Sequence, residues 1–195
     1  MPFSQSRQIS AITGWLEECR PASILDVGAG IGLYGLLARI YLDGEDLFIA
    51  EPGNVRYRSP ADRKLRVEGI EGFAAYRNPV HDFAYDALHI GEALAVLATI
   101  RDQAFEVVLA IDILEHYERR LGEIFVRELF RVASRAVLIS TPKTFAAQNV
   151  EANPLENHRS HWTMADLRRL GCRRFLADSL SWLAIMERTS GLPPR

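Results

Sequence analysis

Residues 24–36 read ILDVGAGIGLYGL, a short apolar strand that ends at Asp26 and leads into three alternate glycines. These glycines are Gly28, Gly30 and Gly32. Glycine permits positive φ and lets a ligand approach the main chain, and a helix that follows presents unpaired N–H groups. The segment therefore predicts a strand, a tight turn and a helix that begin a nucleotide-binding site.

The spacing of the glycines and the acid before them narrow the expected ligand. A dinucleotide-binding turn has the spacing G-x-G-x-x-G, whereas this chain has G-x-G-x-G. The carboxylate of Asp26 would repel a phosphate and suits a ligand with ammonium or hydroxyl donors. Here the chain resembles the class I S-adenosylmethionine-dependent methyltransferases, whose first motif has this form. The resemblance implies that Asp26, Gly28, Gly30 and Gly32 bind S-adenosylmethionine.

Strand and helix patterns alternate along the rest of the chain. Strands are predicted at 23–27, 65–71, 85–90, 105–111 and 136–141, and helices at 7–19, 31–42, 92–100, 120–132 and 163–170. Two further strands, 173–177 and 181–187, follow each other so closely that they must pair antiparallel. We expect a doubly wound, seven-stranded, mostly parallel α/β sheet with an antiparallel C-terminal strand, and the resemblance implies the same Rossmann-like methyltransferase fold.

Length and composition fit one domain, because 195 residues of which 48% are hydrophobic can bury a sizeable core. Within it, we expect an N-terminal helix in 1–22, an insertion at 43–64 and a substrate-facing loop at 142–162.

The net charge of −2 provides no basic field for nucleic acid or an anionic membrane. Without an apolar segment of membrane length, a cytoplasmic protein with reduced Cys19 and Cys172 is expected. No metal-ligand spacing is evident.

An acidic residue after the second strand is expected, because ligands bind at the carboxyl ends of parallel strands and a carboxylate can accept from both ribose hydroxyls. Two residues compete for this role. Glu51 follows the apolar run 47–50, and Glu71 ends the segment RVEGIE. A set of bacterial methyltransferases is similar through GIExFxxYxNPxxxxxYDxxxIGDA, which matches residues 69–93. That resemblance favours Glu71 and makes Glu51 a solvated loop carboxylate.

Polar residues also follow the third and fourth strands. Glu92 stands where the family usually has an aspartate that contacts the adenine amino group, and it could instead be a glutamate favoured by a helix N-terminus. The fourth strand ends in DILEH, which resembles the family's DxLEH segment. The resemblance assigns Asp112 to the cofactor and Glu115 to the substrate, with His116 beside them. Taken alone, Asp112 and Glu115 could form a helix cap and capping box.

The irregular segment 142–162 follows the fifth strand, and long loops of this kind are usually functional or disordered. Its end is similar to the NPxExHRSxW segment of the same bacterial methyltransferases. We expect the loop to face the substrate with His158, Arg159, His161 and Trp162. For the last two, a surface histidine and a core tryptophan are the alternatives.

These features predict a methyltransferase that acts on a small-molecule or glycan-like acceptor. Base methylation is disfavoured because the chain has no Asn-Pro-Pro-Tyr segment after the fourth strand. A hydroxyl acceptor requires a base, for which a histidine is suited at neutral pH, with His158 as the first candidate and His116 as the second. Two other functions stay open: an NAD-dependent Rossmann oxidoreductase, which the glycine spacing disfavours, and a non-catalytic S-adenosylmethionine-binding subunit.

Overall fold

Strands and helices alternate along the computed structural model, which describes residues 6–43, 48–59 and 63–188. The helices in these ranges are α1 (Ile9–Cys19), α2 (Leu33–Leu42), α3 (Pro79–Ala84), α4 (Ala93–Leu97), α5 (Arg119–Val132) and α6 (Met164–Arg169). The strands are β1 (Ser23–Val27), β2 (Phe48–Glu51), β3 (Asn54–Tyr57), β4 (Arg66–Glu71), β5 (Ala87–Ile90), β6 (Phe105–Ile111), β7 (Ala133–Pro142), β8 (Arg174–Leu176) and β9 (Ser181–Glu187).

Seven of these strands form one sheet in the order β5-β4-β1-β6-β7-β9-β8. Strands β5, β4, β1, β6 and β7 run parallel to one another, and β9 runs antiparallel to both β7 and β8. The predicted fold is confirmed: a Rossmann-like methyltransferase sheet with an antiparallel hairpin at one edge. The chain runs from β1 outward to β5 and then crosses to β6, so the switch point lies at the carboxyl ends of β1 and β6, where such sheets bind ligands.

Helices cover both faces of the sheet, which explains why its strands are apolar runs. On one face, Leu25 and Val27 of β1 belong to a buried cluster with residues of α4, α5 and α6. On the other face, Ile24 belongs to a second cluster with residues of α1, α2 and α3. Successive side chains of a strand point to opposite faces, so β1 separates the two halves of the core.

The apolar run at 47–50 is not a strand of this sheet. Strands β2 and β3 form a separate antiparallel pair, in which Phe48 is exposed and Glu51 makes an ion pair with Arg56 at 2.9 Å. The strand beside β1 is β4, which ends at Glu71. Two parts of the predicted insertion at 43–64 lie outside the described residues, namely 44–47, which includes Leu47, and 60–62.

Four helices are shorter than their predicted ranges, and two of these differences have a clear cause. The helix expected at 31–42 begins only at Leu33, because Gly32 adopts φ +91°. The helix expected at 92–100 ends at Leu97, where Arg131 donates to the main-chain oxygens of Leu97 and Ile100 at 2.7 and 2.8 Å. The guanidinium thus satisfies carbonyls that a helix end leaves unpaired.

Both cysteines are free thiols, and Cys172 is buried in the core. Among the helices of the described ranges, none combines the length and apolar character needed to cross a membrane.

Candidate functional site

A cavity of about 570 Å³ lies at the carboxyl ends of β1, β4, β5, β6 and β7. Its volume is within the range of about 300–1,000 Å³ that small-molecule sites occupy. The sequence-predicted residues that line it are Gly28, Gly30, Glu71, Glu92, Asp112, Glu115, His116, His158 and Arg159. These residues follow four different strands or belong to the 142–162 loop, and the structure brings them together in one cavity.

The glycine turn after β1 requires glycine for two reasons. Gly28, Gly30 and Gly32 have φ of +80°, +56° and +91°, a region that favours glycine. A Cβ on Gly28 would also stand 2.8 Å from Cδ1 of Ile113. Gly32 lies outside the cavity lining and serves as the left-handed residue before α2.

Glu71 lies at the centre of the site, where β4 ends beside the glycine turn. Its carboxylate accepts from the main-chain N–H of Gly30 at 2.8 Å and from that of Phe73 at 2.7 Å. Burial raises the pKa of Glu71, and these two donors oppose the shift. Because each carboxylate oxygen has two lone pairs, the group can still accept from two further donors on a ligand.

The structure does not place Asp26 in the cavity. The side chain lies on the same face of β1 as Ile24, where it is buried and accepts from the Tyr85 hydroxyl at 2.6 Å. Burial raises the pKa of Asp26 to about 6, against the effect of the Tyr85 hydrogen bond. The alternation of side chains along β1 therefore directs Asp26 into the helical layer behind the turn.

Glu92 both caps a helix and lines the cavity. It is the N-cap of α4, and one of its carboxylate oxygens accepts from the main-chain N–H of Ala95 at 2.9 Å. The other oxygen accepts from the hydroxyl of Tyr117 at 2.7 Å. The interpretation of Glu92 as an acid at a helix N-terminus is thus confirmed. The residue also lines the cavity, so it is still available to a ligand.

Asp112 follows β6 in a left-handed conformation, with φ +51°. Its Oδ2 accepts from Nε2 of Gln8 at 2.7 Å, and its Oδ1 lies 2.6 Å from Oγ of Ser140. The capping box with Glu115 is absent here, because the short 3₁₀ turn Leu114–His116 has no side-chain cap. The prediction missed Gln8, a fully buried residue that precedes α1 and has no sequence signal linking it to Asp112.

Glu115 is the most deeply buried acid at the far side of the cavity, with 3% of its surface exposed. Burial and the nearby Asp112 carboxylate raise the pKa of Glu115 to about 8. Its Oε2 has no hydrogen-bond partner among the residues that the structure describes. Its main-chain oxygen accepts from the N–H groups of Arg159 and Ser160 at 2.8 and 3.1 Å, which holds the 142–162 loop against β6.

His116 and His158 lie next to each other, with ring centroids 5.2 Å apart. Nδ1 of His116 is 3.3 Å from the main-chain oxygen of Asn157, and Nδ1 of His158 is 2.6 Å from that of Ala146. Burial lowers the pKa of His116, and the charge of a protonated His158 would lower it further. The two candidate bases, which are remote in sequence, therefore share one wall of the cavity.

The remaining two predicted substrate residues lie outside this cavity. His161 borders a small neighbouring depression, and its Nε2 is 2.9 Å from the main-chain oxygen of Lys143. Trp162 is 1% exposed in the core, where its indole N–H donates to Oγ of Ser160 at 2.8 Å. Trp162 is thus the core residue of the alternative interpretation, because it packs against Gly122 of α5, where a Cβ would be 2.5 Å from its ring.

The 142–162 loop also covers the Glu71 end of the cavity, through residues that the sequence did not indicate as site residues. The hydroxyl of Tyr76 donates to the carboxylate of Glu156, and Nδ2 of Asn153 donates to the Tyr76 hydroxyl at 3.2 Å. Leu155 approaches Gly72 so closely that a Cβ there would be 2.6 Å from its Cδ1. The loop therefore lies against the Glu71 end of the cavity and also contributes His158 to the wall at the other end.

No family model and no curated protein sequence matches this chain. It is similar to the structure of an O-methyltransferase family protein from Burkholderia thailandensis, with a TM-score of 0.63 and 16% identity over 95% of this chain and 57% of that one. Magnesium protoporphyrin IX methyltransferase from Synechocystis PCC 6803, solved with bound S-adenosylhomocysteine, gives a TM-score of 0.59 and 15% identity over 93% and 82% of the two chains.

A protein from Nostoc punctiforme PCC 73102 gives a TM-score of 0.59 and 12% identity over 91% of this chain and 55% of that one. The chain thus spans little more than half the length of the Nostoc and Burkholderia proteins. At these identities the likeness shows the fold, which is that of the class I methyltransferases.

Proposed function

We propose that this chain is an S-adenosylmethionine-dependent methyltransferase that methylates a small-molecule or glycan-like acceptor. One observation carries the proposal: the glycine turn and the buried Glu71 carboxylate line the same cavity, at the switch point of a methyltransferase fold. The Synechocystis methyltransferase was solved with S-adenosylhomocysteine, which supports a cofactor of this kind for the fold.

The residues of the cavity fit this cofactor. Glu71 keeps lone pairs free for the two ribose hydroxyls, and the turn from Gly28 to Gly30 lets the amino-acid portion approach the main chain. Glu92 can accept from the adenine amino group. Asp112 lines the same cavity, and each of its oxygens keeps a lone pair for the cofactor beside its contact with Gln8 or Ser140.

S-adenosylmethionine supplies an activated methyl group, so the protein contributes mainly alignment of the acceptor and removal of its proton. For a hydroxyl acceptor, the oxygen–carbon bond forms as the sulfur–carbon bond breaks, its electron pair stays on sulfur, and the hydroxyl proton leaves. His158, or else His116, takes up that proton. Both rings line the cavity with Nδ1 held by a carbonyl oxygen, which leaves Nε2 as the acceptor.

Thermal unfolding with different ligands tests the cofactor. S-adenosylhomocysteine at 100 times its dissociation constant adds about 2.7 kcal/mol to the free energy of unfolding. We expect it and S-adenosylmethionine to raise the melting temperature, and NAD to have no effect. Stabilisation by NAD alone would support the oxidoreductase alternative.

Transfer of a labelled methyl group distinguishes an enzyme from a non-catalytic binding subunit. The chain is incubated with methyl-labelled S-adenosylmethionine and a small-molecule extract, and labelled products are identified by mass spectrometry. We expect a labelled product to form together with S-adenosylhomocysteine. Cofactor binding with no transfer to any fraction of the extract, protein or nucleic acid would support the non-catalytic alternative.

A further inference from the structure

We propose that Glu115, His116 and His158 bind a divalent transition-metal ion in the wall of the cavity. A carboxylate oxygen of Glu115 and one ring nitrogen of each histidine all lie within 4.8 Å of one another. Glu115 is buried and the two histidines are half-buried, and all three line the cavity. A carboxylate with two imidazoles is a ligand set of zinc and iron sites that keep open coordination positions.

The unpaired carboxylate oxygen of Glu115 independently indicates a ligand at this place. The side chain is 3% exposed, yet its Oε2 has no hydrogen-bond partner among the described residues. The neighbouring Thr141 hydroxyl favours the ionised carboxylate, but no donor in the described residues lies within hydrogen-bond distance of Oε2. A buried carboxylate oxygen without a donor is costly, and buried charges in proteins are normally paired or coordinate a metal. A cation in the cavity wall would satisfy this oxygen.

The hydrogen bonds of the two histidines orient them as metal ligands. Nδ1 of each ring lies within hydrogen-bond distance of a main-chain oxygen, Asn157 for His116 and Ala146 for His158. Because a carbonyl oxygen only accepts, Nδ1 of His158 carries the proton and Nε2 of its neutral ring offers a lone pair. His116 interacts with the main chain of both Asn157 and Asp112, and one nitrogen of its neutral ring keeps a lone pair for an ion. Histidines that ligate metals in proteins commonly donate their other N–H to a carbonyl or carboxylate in this way.

The surrounding charge also favours a cation. The carboxylate of Asp112 interacts electrostatically with Glu115, while its own oxygens are held by Gln8 and Ser140. Asp112 therefore adds negative charge to the site without serving as a ligand. The ligand atoms now lie up to 4.8 Å apart. In a tetrahedral site with metal–ligand bonds of about 2.0–2.1 Å, neighbouring ligand atoms are about 3.4 Å apart, so a bound ion would draw them together.

The role of the ion rests on the proposed methyl transfer. Three protein ligands leave at least one coordination position open to the cavity. A hydroxyl oxygen of the acceptor can take that position, where a cation lowers the pKa of the hydroxyl so that its proton passes to solvent. The acceptor class is then a hydroxyl compound, and the ion performs the proton-release task otherwise assigned to a histidine base.

Titration with Co²⁺ and Zn²⁺ tests the site, using tag-free protein that has been treated with a chelator. We expect one ion per chain, with Co²⁺ giving visible absorption bands of a nitrogen- and oxygen-ligated site. Metal binding should weaken at least ~10-fold in each of three variants, Glu115→Gln, His116→Ala and His158→Ala. This is the smaller loss that is usual even for residues that only hold a metal ligand in place. His158 lies on the loop, so this variant should keep the wild-type circular dichroism and melting temperature.

His89→Ala is the matched control, because Nε2 of His89 lies 2.7 Å from the Glu68 carboxylate in a histidine–acid pair outside the cavity lining. It should bind Co²⁺ as the wild type does. Absence of Co²⁺ and Zn²⁺ binding, or equal losses in the His89 and His158 variants, would overturn the metal site.

S-adenosylhomocysteine is titrated into the same samples, which separates this proposal from the proposed function. Binding of S-adenosylhomocysteine without binding of either ion overturns the metal site alone. Binding of an ion without S-adenosylhomocysteine overturns the methyltransferase proposal and leaves the metal site supported.

Discussion

The main-chain N–H of Gly30 donates to the carboxylate of Glu71 at 2.8 Å, which joins the turn after β1 to the end of β4. Adjacent parallel strands bring these two residues together, since β1 and β4 pair in register up to Val27 and Ile70. The carboxylate is thus already oriented beside the glycine turn before a ligand enters. Orientation of this kind lowers the entropy lost on binding.

Glu71→Gln should weaken binding of S-adenosylhomocysteine by about 1.5–3 kcal/mol, the usual contribution of a hydrogen bond to a charged group. Glutamine keeps one acceptor oxygen for Gly30 but offers no second one to the ribose. Glu51→Gln should leave the affinity unchanged, because Glu51 is exposed in the β2–β3 pair and bonded to Arg56. Calorimetric titration of both variants checks this, and the reverse ranking would transfer the ribose role to Glu51.

Removal of the His158 side chain should lower the rate of methyl transfer and leave the cofactor affinity nearly unchanged. General-base catalysis contributes about 10²–10⁴-fold, so kcat for a hydroxyl acceptor should fall by that order in His158→Ala. His116→Ala is the comparison, because His116 directly follows Glu115 and is closer in sequence to Asp112. Full activity of His158→Ala together with loss of activity in His116→Ala would assign the proton transfer to His116.

Substitutions of two helical glycines test the position of Trp162. Gly14→Ala should raise the free energy of unfolding by about 0.5–1 kcal/mol, since α1 has open space at that position. Gly122→Ala should lower it by about 1–3 kcal/mol, because the new Cβ would meet the Trp162 ring at 2.5 Å. Chemical denaturation measures both, and stabilisation by Gly122→Ala would contradict the packing of Trp162 on α5.

Asp26→Asn should make stability less sensitive to pH. Burial raises the pKa of Asp26 to about 6 in the folded chain, above about 3.9 in the unfolded chain. The folded state therefore holds this proton more tightly, and its contribution to stability is complete below about pH 4 and is lost as pH rises through 6. Relative to wild type, Asp26→Asn should gain roughly 2 kcal/mol between pH 4 and pH 7. A difference that stays constant with pH would contradict the raised pKa.

The doubly wound, mostly parallel architecture could be predicted from the sequence because strand patterns alternate with helix patterns, whereas the order of the strands comes from the structure. The close spacing of β8 and β9 similarly required an antiparallel pair, which the structure confirms. The strand patterns alone left Glu51 and Glu71 both open, and only the resemblance favoured Glu71. The structure agrees with that preference, since β4 is the only strand of the main sheet between α2 and α3 in the described residues.

What the sequence could not predict depends on contacts between remote segments. Asp26 adjoins the glycines and shares a face of β1 with Ile24, but its partner on that face, Tyr85, is far along the chain and no local motif indicates it. Trp162 is next to loop residues that reach the cavity, yet α5 packs over it at Gly122. The approach of His158 to His116 follows from the bonds between the Glu115 main chain and the loop, which no local motif indicates.

A crystal structure of the chain grown with S-adenosylhomocysteine would show directly whether Glu71 and the glycine turn bind the cofactor. We expect the ligand in the cavity at the carboxyl ends of β1 and β4. Both ribose hydroxyls should lie within hydrogen-bond distance of the Glu71 carboxylate, and the amino-acid portion should lie against the turn from Gly28 to Gly30. Ligand bound elsewhere on the chain, or a ribose that contacts another acid while Glu71 keeps only its main-chain donors, would contradict the account.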